Sequence, residues 1–328
     1  MTTQEGLKLV ERDETGVDTA FRADVLEGLS HEQKAIPARW LYDDAGSQLF
    51  EDITQLPEYY PTRAETQILS DQADDFAEMI GPGRAVVEFG SGSSVKTPLL
   101  LSAIDPAAYV PLDISGDFLR ASAAELSAKF PGLPVHPVEA DFMRKVELPG
   151  EVADMPKLGF FPGSTIGNMI ARTAVDLLRN MRETLGLGAR LLIGMDLIKD
   201  EDVLVAAYDD AAGVTAEFNY NLVRRINREL DGNILLDALV HEARWNDEFA
   251  RVEMHLVAQR DFNFSVCDKA FSMNAGETIH TENSHKFNRR TSNMLLLAAG
   301  WEPQARWLDT EGRFSVMLAE VKPPRSAP

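Results

Sequence analysis

Cysteine is nearly absent from the 328-residue chain: Cys267 stands alone, so no internal disulfide can form, and such usage suits a reducing compartment. No run of about 18 apolar residues occurs, and the Met-Thr-Thr-Gln-Glu start has no basic stretch leading into an apolar one. A membrane partner is therefore not expected, and a cytoplasmic protein is. Positive charge is scarce as well, with 32 Lys and Arg against 52 Asp and Glu and a formal net charge of −20. Without a basic cluster, a phosphate backbone finds nothing to neutralise it, which argues against nucleic-acid partners. No repeat is present, and low complexity is confined to the closing Pro-Pro-Arg-Ser-Ala-Pro, expected to be disordered. Metal-ligand spacing is missing too. His280 and His285 are five apart, off the i, i+4 pairing of one helix face, and Cys267 has no second cysteine, so no metal is expected.

The chain does have the 45% hydrophobic content of a globular protein and length for two domains or one enlarged one. Apolar residues recur at helical spacing over Phe21 to Leu29 and Ser47 to Leu56, and a long helix is predicted from Pro61 to about Ile80, ended by Gly81-Pro82-Gly83. From Ala85 onward strands and helices alternate: strands at Ala85 to Phe89, Tyr109 to Asp113, Val135 to Glu139, Leu158 to Phe161 and Arg190 to Met195, with helices between them. That is the pattern of a parallel sheet with covering helices, an α/β fold. The alternation breaks after residue 200 into two helices and then extended segments over 238 to 268. A helix near Asn288 to Ala299 and two strands around Asp309 to Arg313 close the chain as an antiparallel edge.

The most informative segment is Val86-Val87-Glu88-Phe89-Gly90-Ser91-Gly92, a buried strand entering a glycine turn before a helix. Glycines allow close backbone approach, and the helix start presents unpaired N–H groups. A dinucleotide site would carry a third glycine where Val95 stands, and Glu88 would repel a diphosphate while suiting a cationic cofactor such as S-adenosylmethionine. Asp113 ends the next strand, 21 residues after Gly92, where a carboxylate can accept ribose hydroxyls. Asp141-Phe142 follows the third strand and offers an acceptor for an adenine amine with a ring beside it. The fourth strand runs into Pro162-Gly163-Ser164-Thr165-Ile166-Gly167-Asn168, in which the Asn168 amide can serve both a carboxylate and an amine. Each feature alone also fits a turn or a core. Their order along one sheet edge points to a bound cofactor. Tyr208 and the Tyr59-Tyr60 pair are ordinary in isolation.

The segments LPEYYPTR, VVEFGSGSSVKT, GSTIGN, YDDAAGVTAEFN, NREL and TENSHKF resemble those of the histidine N-alpha-methyltransferases of ergothioneine biosynthesis, in the same order over nearly the whole chain. The resemblance implies a class I (Rossmann-like) methyltransferase sheet, 63–198 plus 287–328, with an inserted α+β substrate domain, 1–62 plus 199–286. It implies S-adenosylmethionine as cofactor, leaving as S-adenosylhomocysteine, and transfer of three methyl groups to the α-amine of L-histidine to give hercynine. Residue by residue it implies Gly90, Lys96, Asp113, Asp141 and Phe142 on the cofactor. On the amino acid it implies Gly163, Asn168 and Tyr208, with Tyr59, Met254, Glu282 and Ser284 around the imidazole. Asn283 and His285, beside Ser284, depart from the family pattern, which leaves fine pocket shape open.

Neutral Asn and Tyr donors suit a buried carboxylate, and a neutral imidazole, with one donor and one acceptor, suits Glu282 with Ser284 and Tyr59. No dedicated base is evident; water near Asn168, or the Tyr42 hydroxyl, is the candidate proton relay. The protein is expected to act as a monomer. Another amino acid such as tryptophan as substrate, and a non-catalytic S-adenosylmethionine-binding regulator, are the alternatives; an NAD-dependent oxidoreductase is disfavoured by Val95 and Glu88.

Overall fold

A computed structural model describes residues 13, 16–92, 96–114 and 116–322. The first twelve residues, Val95 and the Pro323-to-Pro328 tail lie outside them. Two compact units form. Unit 1 comprises the described residues up to Tyr60 together with Lys199–His285, and unit 2 comprises Pro61–Ile198 with the described residues from Lys286 on.

Along the chain, α1 (Thr19–Gly28), β1 (Lys34–Ala35) and α2 (Asp44–Thr54) open unit 1. The succeeding elements are α3 (Tyr60–Asp71), α4 (Ala73–Ile80), β2 (Ala85–Phe89), α5 (Thr97–Ile104), β3 (Ala108–Asp113), α6 (Gly116–Lys129), β4 (Val138–Glu139), β5 (Lys157–Phe161), α7 (Ala171–Leu185) and β6 (Arg190–Asp196). The chain then supplies α8 (Glu201–Ala206), α9 (Val214–Glu229), β7 (Leu239–Asn246), β8 (Arg251–Ala258), β9 (Phe262–Val266), β10 (Lys269–Met273) and β11 (Thr278–His285) to unit 1. It closes unit 2 with α10 (Arg289–Ala298), β12 (Glu302–Leu308) and β13 (Phe314–Glu320).

Unit 2 is built on a seven-stranded sheet in the order β12-β13-β6-β5-β2-β3-β4. The strands from β6 to β4 are mutually parallel, and the β12–β13 hairpin adds an antiparallel edge, as the alternating pattern and closing turn predict. Both faces of the central strands are covered, so β2 is buried at every position. Val87 and Phe89 face a core shared with Leu177, Leu178 and Trp301. Val86 faces a second core with Leu100, Tyr109 and Phe160.

Two elements differ from expectation. The long helix is interrupted at Gln72 (φ −108°, ψ 19°), and α4 restarts with Asp74 and Asp75 in its first turn, where acidic groups suit the N-terminal dipole. Periodicity hid the break because Ile68, Leu69, Phe76 and Ile80 all enter one core. The third strand is shorter than predicted: Val135 makes only an isolated bridge with Tyr109, and Pro137, with no N–H to donate, separates it from Val138 and Glu139.

Unit 1 has its own core, centred on Phe21, Leu41, Phe218, Leu222 and Leu256. Helices α2 and α9 are tied through Asp43, which caps α2 at the Gly46 N–H and accepts from Asn221 (2.6 Å) and Arg228 (2.7 Å). A four-stranded sheet, β1-β11-β8-β7, accompanies the helices, with the β9–β10 hairpin separate. Neither β10 nor β11 is evident as a strand in the sequence. β11 reads Thr-Ile-His-Thr-Glu-Asn-Ser-His and buries Thr281, Glu282 and Ser284, so it has no apolar alternation.

Candidate active site

In unit 2 the predicted cofactor residues collect at the carboxyl ends of neighbouring strands. After β2, Gly90 takes φ +73°, and a side chain there would also stand 3.4 Å from the Phe142 ring. The Gly90 and Ser91 N–H groups donate to the Leu112 carbonyl, and the Gly92 N–H reaches the Asp113 carboxylate at 3.3 Å, which locks the turn against the end of β3. Asp141 accepts the Met143 N–H (3.0 Å), and Phe142 stands edge-on to Phe89 and Phe161. Two carboxylates and an aromatic ring around a glycine turn suit a ligand with vicinal hydroxyls, an exocyclic amine and a flat face.

Glu88 behaves differently from the charge argument that singled it out. Alternation turns it into the core on the α5 side, where it is fully buried and accepts from Thr97 Oγ1 (2.7 Å) and the Tyr109 hydroxyl (2.6 Å). Burial and the adjacent Glu88 charge hold the Tyr109 phenol well above its ordinary pKa, so it stays a donor. Glu88 pins the start of α5 to the sheet.

Lys96, just before α5, donates to Glu65 at 2.6 Å, and the same Glu65 oxygen accepts the Gly163 N–H at 2.8 Å. Glu65 on α3 was not singled out in the sequence. Its neighbours there, Thr62-Arg63-Ala64, give it the look of a helix-surface acid. The β5 loop continues through Ser164, whose hydroxyl accepts the Asp196 N–H (2.9 Å), into a 3-10 turn at Thr165–Asn168 with Asn168 half-buried.

Unit 1 brings together Tyr42, Tyr59, Tyr208, Met254, Glu282 and Ser284. Tyr208 and Ser284 share a 2.7 Å hydrogen bond, and the Tyr59 and Tyr208 rings meet edge to face at 6.2 Å. On β11, Glu282 pairs with Met254 of β8 and Ser284 with Val252. A bulge between His280 and Glu282 makes this possible, because the extra residue, Thr281, shifts Glu282 onto the Met254 face. Glu282 and Ser284 then point the same way and are 8% and 4% exposed. Tyr42 keeps 38% of its surface accessible, yet desolvation first and the Glu282 charge second push its phenol well above the ordinary value. It can pass a proton as a hydroxyl but is no standing base.

His241, also missed, fixes Tyr208 from behind: Asn219 donates to Nδ1 (2.9 Å), and Nε2–H donates to the Tyr208 carbonyl (2.8 Å). Burial lowers the His241 pKa, which keeps the neutral tautomer this arrangement needs.

On the opposite face of β8 and β11, Glu253, His255 and His280 form a compact group with potential ligand atoms within 4.8 Å of one another. The spacing test applied to His280 and His285 could not find it, because the members lie across a strand pair. His255 Nε2–H donates to Glu253 (3.0 Å), its Nδ1 meets Thr278 Oγ1 (3.2 Å), and its ring stacks on His280 at 4.6 Å. His280 in turn donates to the Glu282 carbonyl (3.0 Å), which braces the bulge.

Burial first, then the neighbouring His280 and Arg244, hold His255 down at about 4 against the partly offsetting Glu253. Glu253 lies at about 2 because hydrogen bonds from His255 and Arg251 outweigh its burial. A His whose folded pKa lies below its unfolded value of about 6.5 gives stability that is complete above pH 6.5 and lost as pH falls towards 4. Between pH 7.5 and 5.5 this amounts to about 1 kcal/mol. Thermal melts at the two pH values should show a smaller loss for His255→Gln than for the wild type; equal losses would refute this assignment.

The model of the family described as "Histidine-specific methyltransferase, SAM-dependent" matches residues 21–321. The histidine N-alpha-methyltransferase of Mycolicibacterium smegmatis is 40% identical over 309 residues, covering 92% of this chain and 94% of that protein. Ergothioneine biosynthesis protein 1 of Neurospora crassa is 30% identical over 84% of this chain, which spans 32% of that longer protein. The 4-dimethylallyltryptophan N-methyltransferase of Claviceps fusiformis is more distant, 25% identical over 93% of each chain. With a match of that extent over both units, the chain belongs to the S-adenosylmethionine-dependent, histidine-specific methyltransferase family.

Proposed function

We propose that the protein transfers three methyl groups, one at a time, from S-adenosylmethionine to the α-amine of L-histidine, giving hercynine for ergothioneine biosynthesis. The observation that carries the choice of substrate is the buried polar set Glu282, Ser284 and Tyr208, with Tyr59 beside it. A buried carboxylate and hydroxyls on one face match the donor and acceptor of a neutral imidazole and would leave an indole or alkyl side chain facing unsatisfied polar groups. Unit 2 is read as the cofactor unit and unit 1 as the main histidine unit. The protein is read as a cytoplasmic monomer acting on a free amino acid without nucleic acid or membrane, in keeping with a net charge of −20 and a single cysteine.

The residues of unit 2 fit the cofactor: Gly90 leaves room at the turn, Asp113 and Asp141 would accept from ribose and adenine, Phe142 would flank the base, and Lys96 stands at the helix start. When bound, S-adenosylmethionine supplies an activated methyl on a sulfonium, so the chain's part is chiefly to bind and orient. Asn168 in unit 2, with Gly163 on the same loop, and Tyr208 in unit 1 are each read as a group for the α-amine and carboxylate end of histidine. The amine must be neutral before each transfer, since an ammonium has no lone pair. The protonated phenol of Tyr42, or water beside Asn168, is the candidate relay that carries the proton off to solvent.

Incubating the protein with S-adenosylmethionine and a panel of free amino acids, followed by mass analysis, tests this reading. Histidine should gain three methyl groups. Methylation of tryptophan or another amine in its place, or no methylated product, would overturn it.

A further inference from the structure

We propose that Glu65 is a positioning residue of the cofactor site, using one carboxylate oxygen to fasten the Lys96 turn to the β5 loop at Gly163. The proposal rests on the reading of unit 2 as the S-adenosylmethionine unit. Glu65 is fully buried, and its Oε2 receives both the Lys96 ammonium (2.6 Å) and the Gly163 N–H (2.8 Å). The Lys96 side chain is itself only 11% exposed, so this is a charge pair withdrawn from water and not a surface bridge. A Cβ on Gly163 would come within 3.7 Å of Lys96 Nζ, which places the ammonium directly against that loop.

The second carboxylate oxygen shows that space was made for this side chain. Among the described residues Glu65 Oε1 has no hydrogen-bond partner, and it lies over Gly194 of β6, where a Cβ would come within 2.1 Å of it. Any larger residue at 194 would displace the carboxylate. A buried acid on α3, a missing side chain on β6 and a basic residue before α5 thus converge on one carboxylate. Its Oε2 joins two loops which carry separate ligand groups, the glycine turn after β2 and the turn after β5. Charge-assisted bonds of this kind are short and directional, and removing one partner leaves the other buried without compensation. Without Glu65 the ammonium turns to water, and the Lys96 turn leaves the β5 loop.

The test is calorimetric titration with S-adenosylhomocysteine of the wild type, Glu65→Gln, Lys96→Met and the double variant. Gln keeps the shape and an acceptor oxygen but removes the charge. Glu65→Gln should weaken binding about tenfold or more, and the double variant should be no weaker than Lys96→Met alone, because Glu65 acts through Lys96. Steady-state kinetics should show the rise in KM for S-adenosylmethionine exceeding the fall in kcat, which a general loss of folding would not produce. If Glu65→Gln does not fold, Gly194→Ala displaces the carboxylate without removing it and should give the same loss. Wild-type affinity in Glu65→Gln, or losses that simply add in the double variant, would overturn the role of Glu65. A wild-type protein that fails to bind S-adenosylhomocysteine would instead overturn the functional reading beneath it.

Discussion

Glu282→Leu is expected to lower kcat/KM for histidine by about 10³-fold or more, with affinity for S-adenosylhomocysteine unchanged. Glu282 lies on β11 beside Met254, 8% exposed, in the unit that carries Tyr59, Tyr208 and Ser284. A site that hydrogen-bonds a polar substrate group discriminates strongly because losing one partner strands the other; sites of this kind lose about 10⁴-fold or more against analogues lacking the group. With leucine at position 282 the imidazole N–H would lose its carboxylate acceptor, while packing near Met254 would be kept. The ratio of activity on histidine to that on tryptophan should fall in parallel. Initial rates on both amino acids, with cofactor binding as the control for folding, measure this. A change of less than tenfold would mean that Glu282 does not meet the ring.

The second large effect concerns stability. Lys286 and Asp196 form a 2.8 Å ion pair with side chains 0% and 1% exposed. Asp196 ends β6 just before the chain leaves unit 2, and Lys286 is the first residue on its return. Around them the Phe287 N–H donates to the Asp196 carbonyl, the Leu197 N–H to the Asp196 carboxylate, and the Asp196 N–H to Ser164 on the β5 loop. The pair therefore closes the base of the insertion within unit 2 and anchors the loop that leads to Asn168. Lys286→Met leaves a buried carboxylate without its cation and should destabilise unit 2 by about 3–5 kcal/mol. Adding Asp196→Leu should restore most of that, because two buried charges replaced by apolar groups no longer require compensation. Urea unfolding of the three variants distinguishes the cases. A loss below about 1 kcal/mol for Lys286→Met would show that water reaches the pair.

Much of unit 2 was legible because its central strands are mostly apolar and the turn after β2 carries glycine. β2 is recognisable as Ala-Val-Val-Glu-Phe before Gly90, and Asp113 falls at the end of β3 where a strand of that length must end. Asp141 and Phe142 were placed by the same rule despite the shortened β4. The break at Gln72 escaped detection because periodicity reports which face is buried, not whether the helix is continuous. Glu88 was misread in direction: its charge was plain, but alternation along β2 sends it into the core.

Unit 1 was far less legible, for a single physical reason. Its β11 strand buries Thr281, Glu282 and Ser284, and polar side chains at buried positions carry no hydrophobic period. Only likeness to a family marked Glu282 and Ser284, and nothing local marked His241, His255 or Glu65. The sequence alone determined the α/β architecture, the glycine turn with its strand-end carboxylates, and the family, since these depend on local patterning and on motifs in order. Tertiary structure alone decided which way Glu88 faces, that Thr281 is the extra residue turning Glu282 towards Met254, and that Glu65 meets Lys96 and Gly163 on one oxygen. Such facts depend on register and on contacts between distant segments, which a one-dimensional pattern does not encode.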